Sequence, residues 1–189
     1  MINHKHKFIF IHIPKTAGVA IYSQLPLRKH RHKKIGYYDN DKINEYFTFT
    51  FVRNPFDRAV STYHFLNSES CMKWPRANRK IHNLVKSMSF NEFIKNLFNV
   101  KNKHTETQFN YITHNSLNID FIGRFENLQE DFNIVCDKIG IPKQQLPHKN
   151  ATKHKHYTEY YDDETRSIVA EKYAKDIEYF GYKFGEVEK

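Results

Sequence analysis

The apolar positions in the first third of the chain form two runs with strand character. Phe8–Ile13 is almost entirely apolar and rich in β-prone side chains, and Pro14 ends it. A continuous apolar run of this length is typical of a strand buried on both faces of a parallel sheet. Phe47–Val52 alternates phenylalanine with threonine and ends in valine, which predicts a second strand. A shorter apolar run predicts a third strand at Ile119–Ile122.

Helical periodicity follows the predicted strands. Asn54 suits an N-cap and Pro55 the first position of a helix, and apolar residues then recur at the spacing of one helical face. The other predicted helices are Val19–Leu25, Asp41–Tyr46, one that begins at the capping box of Ser89 and Glu92, one from Leu128 to Ile139 that Gly140 ends, and one from about Asp162 to Phe180. Strands that alternate with helices predict an α/β fold with a mostly parallel central sheet flanked by helices.

Length and composition favour one folded domain over residues 1–189. Hydrophobic residues make up 39% of the chain and aromatic residues 15%, which is enough to build a core and excludes a disordered chain. Glycine and proline number six each, so no segment has the composition of a long linker.

The chain is strongly basic, with a formal net charge of +9 and a pI near 9.4. Such a charge favours anionic partners, among them nucleic acid, phosphorylated cofactors, acidic glycans and anionic lipid. Cys71 and Cys136 lie too far apart for a zinc motif and are too few for a disulfide framework. The N-terminal apolar run is too short to span a membrane and lacks the layout of a signal peptide. We therefore expect a cytoplasmic protein without a membrane span.

The first segment with candidate chemistry is the turn from Pro14 to Gly18, between the first predicted strand and a helix. Such a turn directs backbone N–H groups toward one point, which suits a phosphate or sulfate. Lys15 adds a mobile cation and Thr16 a hydroxyl group. The spacing differs from the Walker A motif of nucleoside triphosphatases. By itself the segment also fits an ordinary turn with a surface lysine.

The second segment runs from Phe51 to Tyr63. Arg53 follows the second predicted strand, at the end of the strand where open α/β sheets bind ligands. Its planar guanidinium can hold a phosphate through two hydrogen bonds. Ser61 lies two helical turns further on and offers a hydroxyl group. Taken alone, Arg53 also fits a surface ion pair with Asp57.

The two segments together resemble the 5′-phosphosulfate loop and the 3′-phosphate site of the sulfotransferases. The resemblance is greatest to the branch that contains the heparan-sulfate 2-O-sulfotransferases and related bacterial enzymes, and it extends from about Phe8 to Phe184. Four later segments agree with that branch: Asp120–Glu126, Leu146–Thr152, Tyr160–Asp162 and Phe180–Tyr182.

The resemblance implies a P-loop-like, three-layer α/β fold and 3′-phosphoadenosine-5′-phosphosulfate (PAPS) as the sulfuryl donor, with no metal. It implies in-line transfer to an acceptor hydroxyl, which we expect to belong to an oligo- or polysaccharide rather than to nucleic acid. The residues expected at the donor site are Pro14, Lys15, Thr16, Ala17, Gly18, Val19, Arg53, Ser61, Asn150 and Thr152. Val19 stands where many relatives have serine or threonine, so Thr16 and the backbone amides are expected to contribute more.

The acceptor hydroxyl needs a general base, and histidine has a suitable pKa. Lys15 is the expected catalytic cation. His32 and His30 are the expected bases because relatives place a catalytic histidine between the two segments, and His32 is favoured slightly. Both lie within the basic run 28–34, which also fits a loop that only grips an anionic acceptor. Further along, His104 and Gln108 are expected to contact the acceptor, again by analogy with relatives.

Two other functions remain open at this point, a small-molecule kinase with a degenerate phosphate loop and a non-catalytic module that binds glycan or nucleic acid. The aromatic residues alternate along predicted strands rather than between basic residues, which disfavours nucleic acid. His148, His154 and His156 form a cluster without a cysteine or carboxylate to complete a metal site, so we expect no metal. The oligomeric state is left open.

Overall fold

The computed structural model describes residues 1–27, 31–73, 76–96, 98, 100, 102–147 and 155–186. The chain divides into two compact units, one formed by Met1–Arg53 with Gln108–Ala151 and the other by Asn54–Thr107 with Thr152–Lys189. Each unit has its own hydrophobic cluster. The single domain expected over residues 1–189 stays a prediction.

The first unit contains the sheet. Its strands are β1 (Ile2–Asn3), β2 (Phe8–Ile11), β3 (Phe47–Val52) and β4 (Phe121–Arg124), which lie side by side in that order. The pairs β2–β3 and β3–β4 are parallel, and only the short β1 is antiparallel to its neighbour. The expected α/β fold with a mostly parallel sheet is therefore confirmed.

The two faces of the sheet follow the alternation in the sequence. Phe8, Phe10, Phe49 and Phe51 point to one face, where the rings of Phe10 and Phe49 stack with their centroids 4.9 Å apart. The helices α1 (Gly18–Gln24) and α7 (Leu128–Ile139) bury apolar side chains in the same cluster. The intervening side chains on the opposite face of β2 and β3 are buried as well, which explains why both runs have so few polar residues.

The remaining α-helices belong to both units. They are α2 (Asn40–Glu45), α3 (Pro55–Asn67), α4 (Arg76–Val85), α5 (Phe90–Asn96), α6 (Phe109–Ile112), α8 (Asp163–Lys172) and α9 (Ala174–Phe180). The sequence analysis did not predict α4, α6 or β1.

The start of α3 agrees with its predicted capping. The Asn54 side chain accepts a hydrogen bond of 3.1 Å from the Phe56 N–H, and Pro55 begins the helix. Its predicted apolar face enters the core of the second unit, where Ala59 and Val60 are fully buried. The capping box at α5 is also present, because Ser89 and Glu92 bond each other's backbone and side chains.

Apart from one-residue shifts at α1 and α2, three predicted bounds were wrong. β2 ends at Ile11, two residues before the predicted end at Ile13. The third strand is β4, two residues later than the predicted Ile119–Ile122, because Asp120 is held by its own hydrogen bonds to Thr48. The predicted helix from Asp162 to Phe180 is two helices, interrupted at Tyr173. Tyr173 is fully buried and its hydroxyl group donates to the Thr105 carbonyl at 3.3 Å, a long-range constraint that local periodicity does not reveal.

Candidate functional site

Three strand ends meet at one edge of the sheet. Val52 at the end of β3 pairs with Arg124 at the end of β4, and β2 lies on the other side of β3. The chain leaves these ends through the loop Pro14–Gly18 after β2, Arg53 after β3 and Phe125 after β4. Open α/β sheets bind ligands at this edge, beyond the carboxyl ends of parallel strands.

The loop after β2 has an unusual backbone. Lys15 and Ala17 have φ angles of 73° and 58°, in the left-handed region that residues with a Cβ atom rarely adopt. Each such residue costs roughly 1–3 kcal/mol, so surrounding contacts must hold the loop. One of them is a hydrogen bond of 3.0 Å from the buried Thr16 hydroxyl to the Ile13 carbonyl. In this structure the Thr16 hydroxyl therefore supports the turn, and its role toward a donor stays a prediction.

Arg53, which follows β3, contacts the segments that follow the other two strands, β2 and β4. Its guanidinium donates a hydrogen bond of 3.4 Å to the Lys15 carbonyl and lies 3.9 Å from the centroid of the Phe125 ring. Only 8% of the residue is exposed. The structure thus brings together the loop and the arginine that the sequence analysis selected separately.

Gln108 contacts the main chain of Arg53. Its side-chain oxygen accepts from the Arg53 N–H at 2.9 Å, and its side-chain amide donates to the Arg53 carbonyl at 2.8 Å. Gln108 is fully buried. The family resemblance implied that this side chain contacts the acceptor. In the structure it is bonded to the Arg53 backbone instead.

His32 lies against the end of β2. Its Nδ1 is 3.2 Å from the His12 carbonyl, and the two imidazole rings are 4.1 Å apart between centroids. A carbonyl only accepts hydrogen bonds, so Nδ1 must hold the proton and Nε2 of the neutral ring has a lone pair. A histidine in this tautomer is suited to act as a general base through Nε2.

His12 itself is a residue that the sequence analysis overlooked. It is 2% exposed and its ring stacks on Phe10 at 5.6 Å. Gly18 packs directly against it, because a Cβ atom at that position would lie 1.9 Å from the His12 Nε2. Its position could have been noticed in the sequence, because His12 is a polar residue inside the apolar run Phe8–Ile13 and lies two residues before the loop Pro14–Gly18.

The described part of the basic segment contacts aromatic rings. The Lys33 ammonium lies 4.3 Å from the centroid of Tyr37, and that of Lys34 lies 5.8 Å from the centroid of Tyr111. Tyr37 is 57% exposed. Tyr111 is buried, so the surface that suits an anionic or carbohydrate ligand is the one formed by Lys33 over the exposed Tyr37 ring.

The other predicted site residues lie in the second unit, in the region of the loop and helix after β2, or outside the described residues. His104 and Ser61 belong to the second unit, where the His104 ring lies 4.9 Å from that of Phe65 and Ser61 is buried in α3. Pro14 and Gly18 are buried in the loop region, and Val19 is 37% exposed on α1. His30, Asn150 and Thr152 lie outside the described residues, as do His148 and His154.

Neither a metal centre nor a membrane helix was found in the described part of the chain. No group of three or more histidine, cysteine, aspartate or glutamate residues there could hold a metal ion. None of the described helices is long and apolar enough to cross a membrane.

Comparison with known proteins places the chain in a family. Residues 21–183 match the sulfotransferase family, a range that begins just after the loop Pro14–Gly18. The chain is 27% identical to human carbohydrate sulfotransferase 9 over 216 aligned positions, and 25% identical to zebrafish (Danio rerio) carbohydrate sulfotransferase 14 over 236. These alignments cover 93% and 96% of this chain. It is also 32% identical to an uncharacterized protein of Archaeoglobus fulgidus, over 52% of this chain and 72% of that protein.

The chain is shorter than the carbohydrate sulfotransferases that it matches, spanning 47% of the human protein and 61% of the zebrafish one. No solved structure matches it significantly. The family match covers most of the chain, and the structure has the mostly parallel sheet that the sequence resemblance implied. This protein is a member of the sulfotransferase family.

Proposed function

We propose that this protein transfers a sulfuryl group from PAPS to a hydroxyl group of a carbohydrate acceptor. The observation that supports this most directly is the hydrogen bond from the Arg53 guanidinium to the Lys15 carbonyl. It joins two segments that are each suited to an anion, as a donor with two separated phosphate groups requires. The family match and the names of the relatives support the same reaction class.

The residues at the sheet edge fit the donor chemically. Arg53 offers a planar set of N–H donors to the 3′-phosphate. Lys15 and the loop amides face the 5′ end of the donor. The assignment of Ser61, Asn150 and Thr152 to the donor rests on the family resemblance alone and stays a prediction. The same resemblance implies that the reaction needs no metal.

The catalytic work consists of positioning and charge stabilisation. When bound, PAPS supplies the sulfuryl group. Lys15 stabilises the negative charge that grows on the leaving 5′-phosphate oxygen. Surrounding contacts, such as the hydrogen bond from the Thr16 hydroxyl to the Ile13 carbonyl, hold the loop in its left-handed conformation before the ligand arrives, so little reorganisation is needed during the reaction.

His32 serves as the general base. In the tautomer in which Nδ1–H donates to the His12 carbonyl, Nε2 is the ring atom that takes the proton from the acceptor hydroxyl. Lys33 over the exposed Tyr37 gives the acceptor a positively charged surface, which suits an anionic sugar chain.

Ligand-dependent thermal stability tests the donor assignment. Adenosine 3′,5′-bisphosphate should raise the melting temperature, whereas adenosine 5′-monophosphate should raise it much less because it lacks the group that Arg53 reads. ATP with Mg²⁺ serves as the control for a kinase. Equal shifts from the bisphosphate and the monophosphate would contradict the assignment of Arg53 to a 3′-phosphate site. A larger shift from ATP with Mg²⁺ would favour a kinase.

Turnover tests the chemistry. With labelled PAPS and a panel of acidic and neutral polysaccharides, Lys15→Ala should lower kcat by about 10²–10³, the scale for loss of one group that stabilises transition-state charge. Lys5→Ala, at an exposed lysine of the same unit, is the matched control and should leave kcat unchanged. Activity of Lys15→Ala within about twofold of wild type would exclude Lys15 from the mechanism.

The cytoplasmic location expected from the sequence stays a proposal. Fractionation of cells that express the full natural protein would test it.

A further inference from the structure

Gln108 bonds Arg53 through both ends of its side-chain amide. Both polar atoms of one side-chain amide bond both main-chain groups of one residue, at 2.9 Å and 2.8 Å. The two residues are separated by 55 positions in sequence and belong to the same unit. The main chain of Arg53, which immediately follows β3, is thus held by a side chain.

Burial determines what Gln108 can reach. The residue is fully buried, so a carbohydrate acceptor would have to displace the chain around it to make contact. Arg53, in contrast, is 8% exposed and its guanidinium lies between the Lys15 carbonyl and the Phe125 ring. The direction of that guanidinium depends on the orientation of the Arg53 backbone from which the side chain starts.

We propose that Gln108 is a positioning residue for the donor site, which sets the main chain of Arg53 so that its guanidinium reads the 3′-phosphate. This inference rests on the proposed function. Loss of the Gln108 amide would leave the Arg53 N–H and carbonyl groups buried without these bonds. The peptide would then rotate toward other partners, and the guanidinium would leave its place between Lys15 and Phe125.

Gln108→Leu tests the proposal, because leucine has a similar volume and makes neither hydrogen bond. The measurement is the ratio of affinities for adenosine 3′,5′-bisphosphate and adenosine 5′-monophosphate, by calorimetry on each purified variant. We expect the bisphosphate affinity to fall about tenfold or more, the scale for a misplaced charge-assisted hydrogen bond, with the monophosphate affinity unchanged. With PAPS as donor, KM should rise while kcat at saturating donor stays near wild type.

The chain offers a matched control in Gln129. Its side chain makes the same kind of contact, donating to the Gln144 carbonyl at 3.1 Å and accepting from the Leu146 N–H at 2.9 Å. It lies in the same unit as Gln108 but does not contact Arg53. Gln129→Leu should therefore keep the wild-type affinity ratio whatever its effect on stability.

A double-mutant cycle separates positioning from a general structural effect. In an Arg53→Ala background, Gln108→Leu should not change bisphosphate affinity further, because the group it positions is gone. If Gln108→Leu does not fold, Gln108→Glu replaces it, since it keeps an acceptor for the Arg53 N–H and loses the donor to the Arg53 carbonyl. That variant should also have a reduced affinity ratio.

Three results would overturn the proposal: a folded Gln108 variant with the wild-type ratio, equal losses for both nucleotides, or an undiminished effect in the Arg53→Ala background. These differ from failure of the proposed function itself. If the wild-type protein does not prefer the bisphosphate, both proposals are wrong. If the wild type prefers it and Gln108→Leu does too, only the positioning role is wrong.

Discussion

Two arginines five positions apart occupy opposite kinds of environment. Arg58 is fully buried in the second unit, where its guanidinium lies 3.9 Å from the Asp176 carboxylate and donates to the Glu106 carbonyl at 2.6 Å. Arg53 lies at the sheet edge of the first unit against the Lys15 carbonyl and the Phe125 ring. A carboxylate lies beside the Arg58 guanidinium, whereas the Arg53 guanidinium contacts a main-chain carbonyl and an aromatic ring.

We propose that the difference separates a structural arginine, Arg58, from one that binds the donor, Arg53. A buried guanidinium with a carboxylate beside it stabilises the fold only as long as both partners are present. Arg53 follows β3 at the edge of the sheet where open α/β folds bind ligands. The comparison predicts that changes around Arg53 affect function, whereas changes around Arg58 affect stability.

Burial in the second unit also shifts the pKa values of ionisable side chains near Arg58. Burial raises the pKa of Tyr173 to about 12. Burial, with a smaller contribution from the Arg58 charge, lowers the pKa of Lys172 to about 8. The second unit therefore holds several ionisable groups whose charged forms are disfavoured by their surroundings.

The largest expected effect is on turnover at the sheet edge. His32→Ala should lower kcat by about 10²–10⁴, the usual loss for a general base, with little change in melting temperature. The acidic limb of the pH–rate profile should disappear with the imidazole that must be deprotonated. The measurement is kcat at saturating donor across pH.

The matched control for this variant is His6→Ala. The His6 Nδ1 makes the same kind of contact, 3.2 Å from the Ile139 carbonyl, in the same unit. Its removal should leave kcat near wild type. A raised KM with unchanged kcat in His32→Ala would show that His32 only grips the acceptor.

Next in size is the loss of stability at Arg58. Arg58→Met should lower the free energy of unfolding by about 3–5 kcal/mol, because it leaves the Asp176 carboxylate buried without its partner. Urea denaturation measures this loss. The double variant Arg58→Met/Asp176→Leu should recover most of it, since an apolar pair replaces the ions. A single-variant loss below about 1 kcal/mol would show that the ion pair is not a structural element.

Arg53→Ala should have the complementary effect. Affinity for adenosine 3′,5′-bisphosphate should fall about 10–100-fold, as for loss of a charge-assisted hydrogen bond, while the free energy of unfolding changes far less than in Arg58→Met. Calorimetry and urea denaturation of the same preparations give both quantities. The comparison between the two arginines fails if Arg53→Ala is the less stable of the two variants.

The smallest expected effect is a pH dependence in the second unit. The native state loses the Lys172 proton above about pH 8, whereas the unfolded chain keeps it until near the ordinary value of 10.5. The unfolded state then binds more protons, so this group makes stability rise with pH across that window. Lys172→Met should remove this contribution, measured as the difference in unfolding free energy from wild type between about pH 7.5 and 9.5.

The exposed Lys138 of α7 provides the control for that measurement. Lys138→Met should follow the pH dependence of the wild type. If Lys172→Met does the same, burial does not perturb the Lys172 ammonium.

Local signals predicted much of the secondary structure. β3 has the predicted bounds Phe47–Val52, and α7 ends at Gly140, whose φ angle is 68°. Strand alternation and helix caps act over a few neighbouring residues, so the pattern in the sequence is sufficient to predict them. The predicted start of β4 and the predicted unbroken helix through Tyr173 were wrong. Both features depend on pairing and burial against residues far away in sequence.

The sequence alone determined the fold class, the family resemblance and the two candidate anion-binding segments, because each depends on residue types at short spacing. Only the tertiary structure decided what individual side chains do. It turned the Thr16 hydroxyl inward, placed Gln108 behind Arg53, set His12 beside His32 and compensated Arg58 with Asp176. Most of these contacts join residues that are distant in the chain, and hydrogen bonds and ion pairs depend on positions in space rather than on sequence spacing.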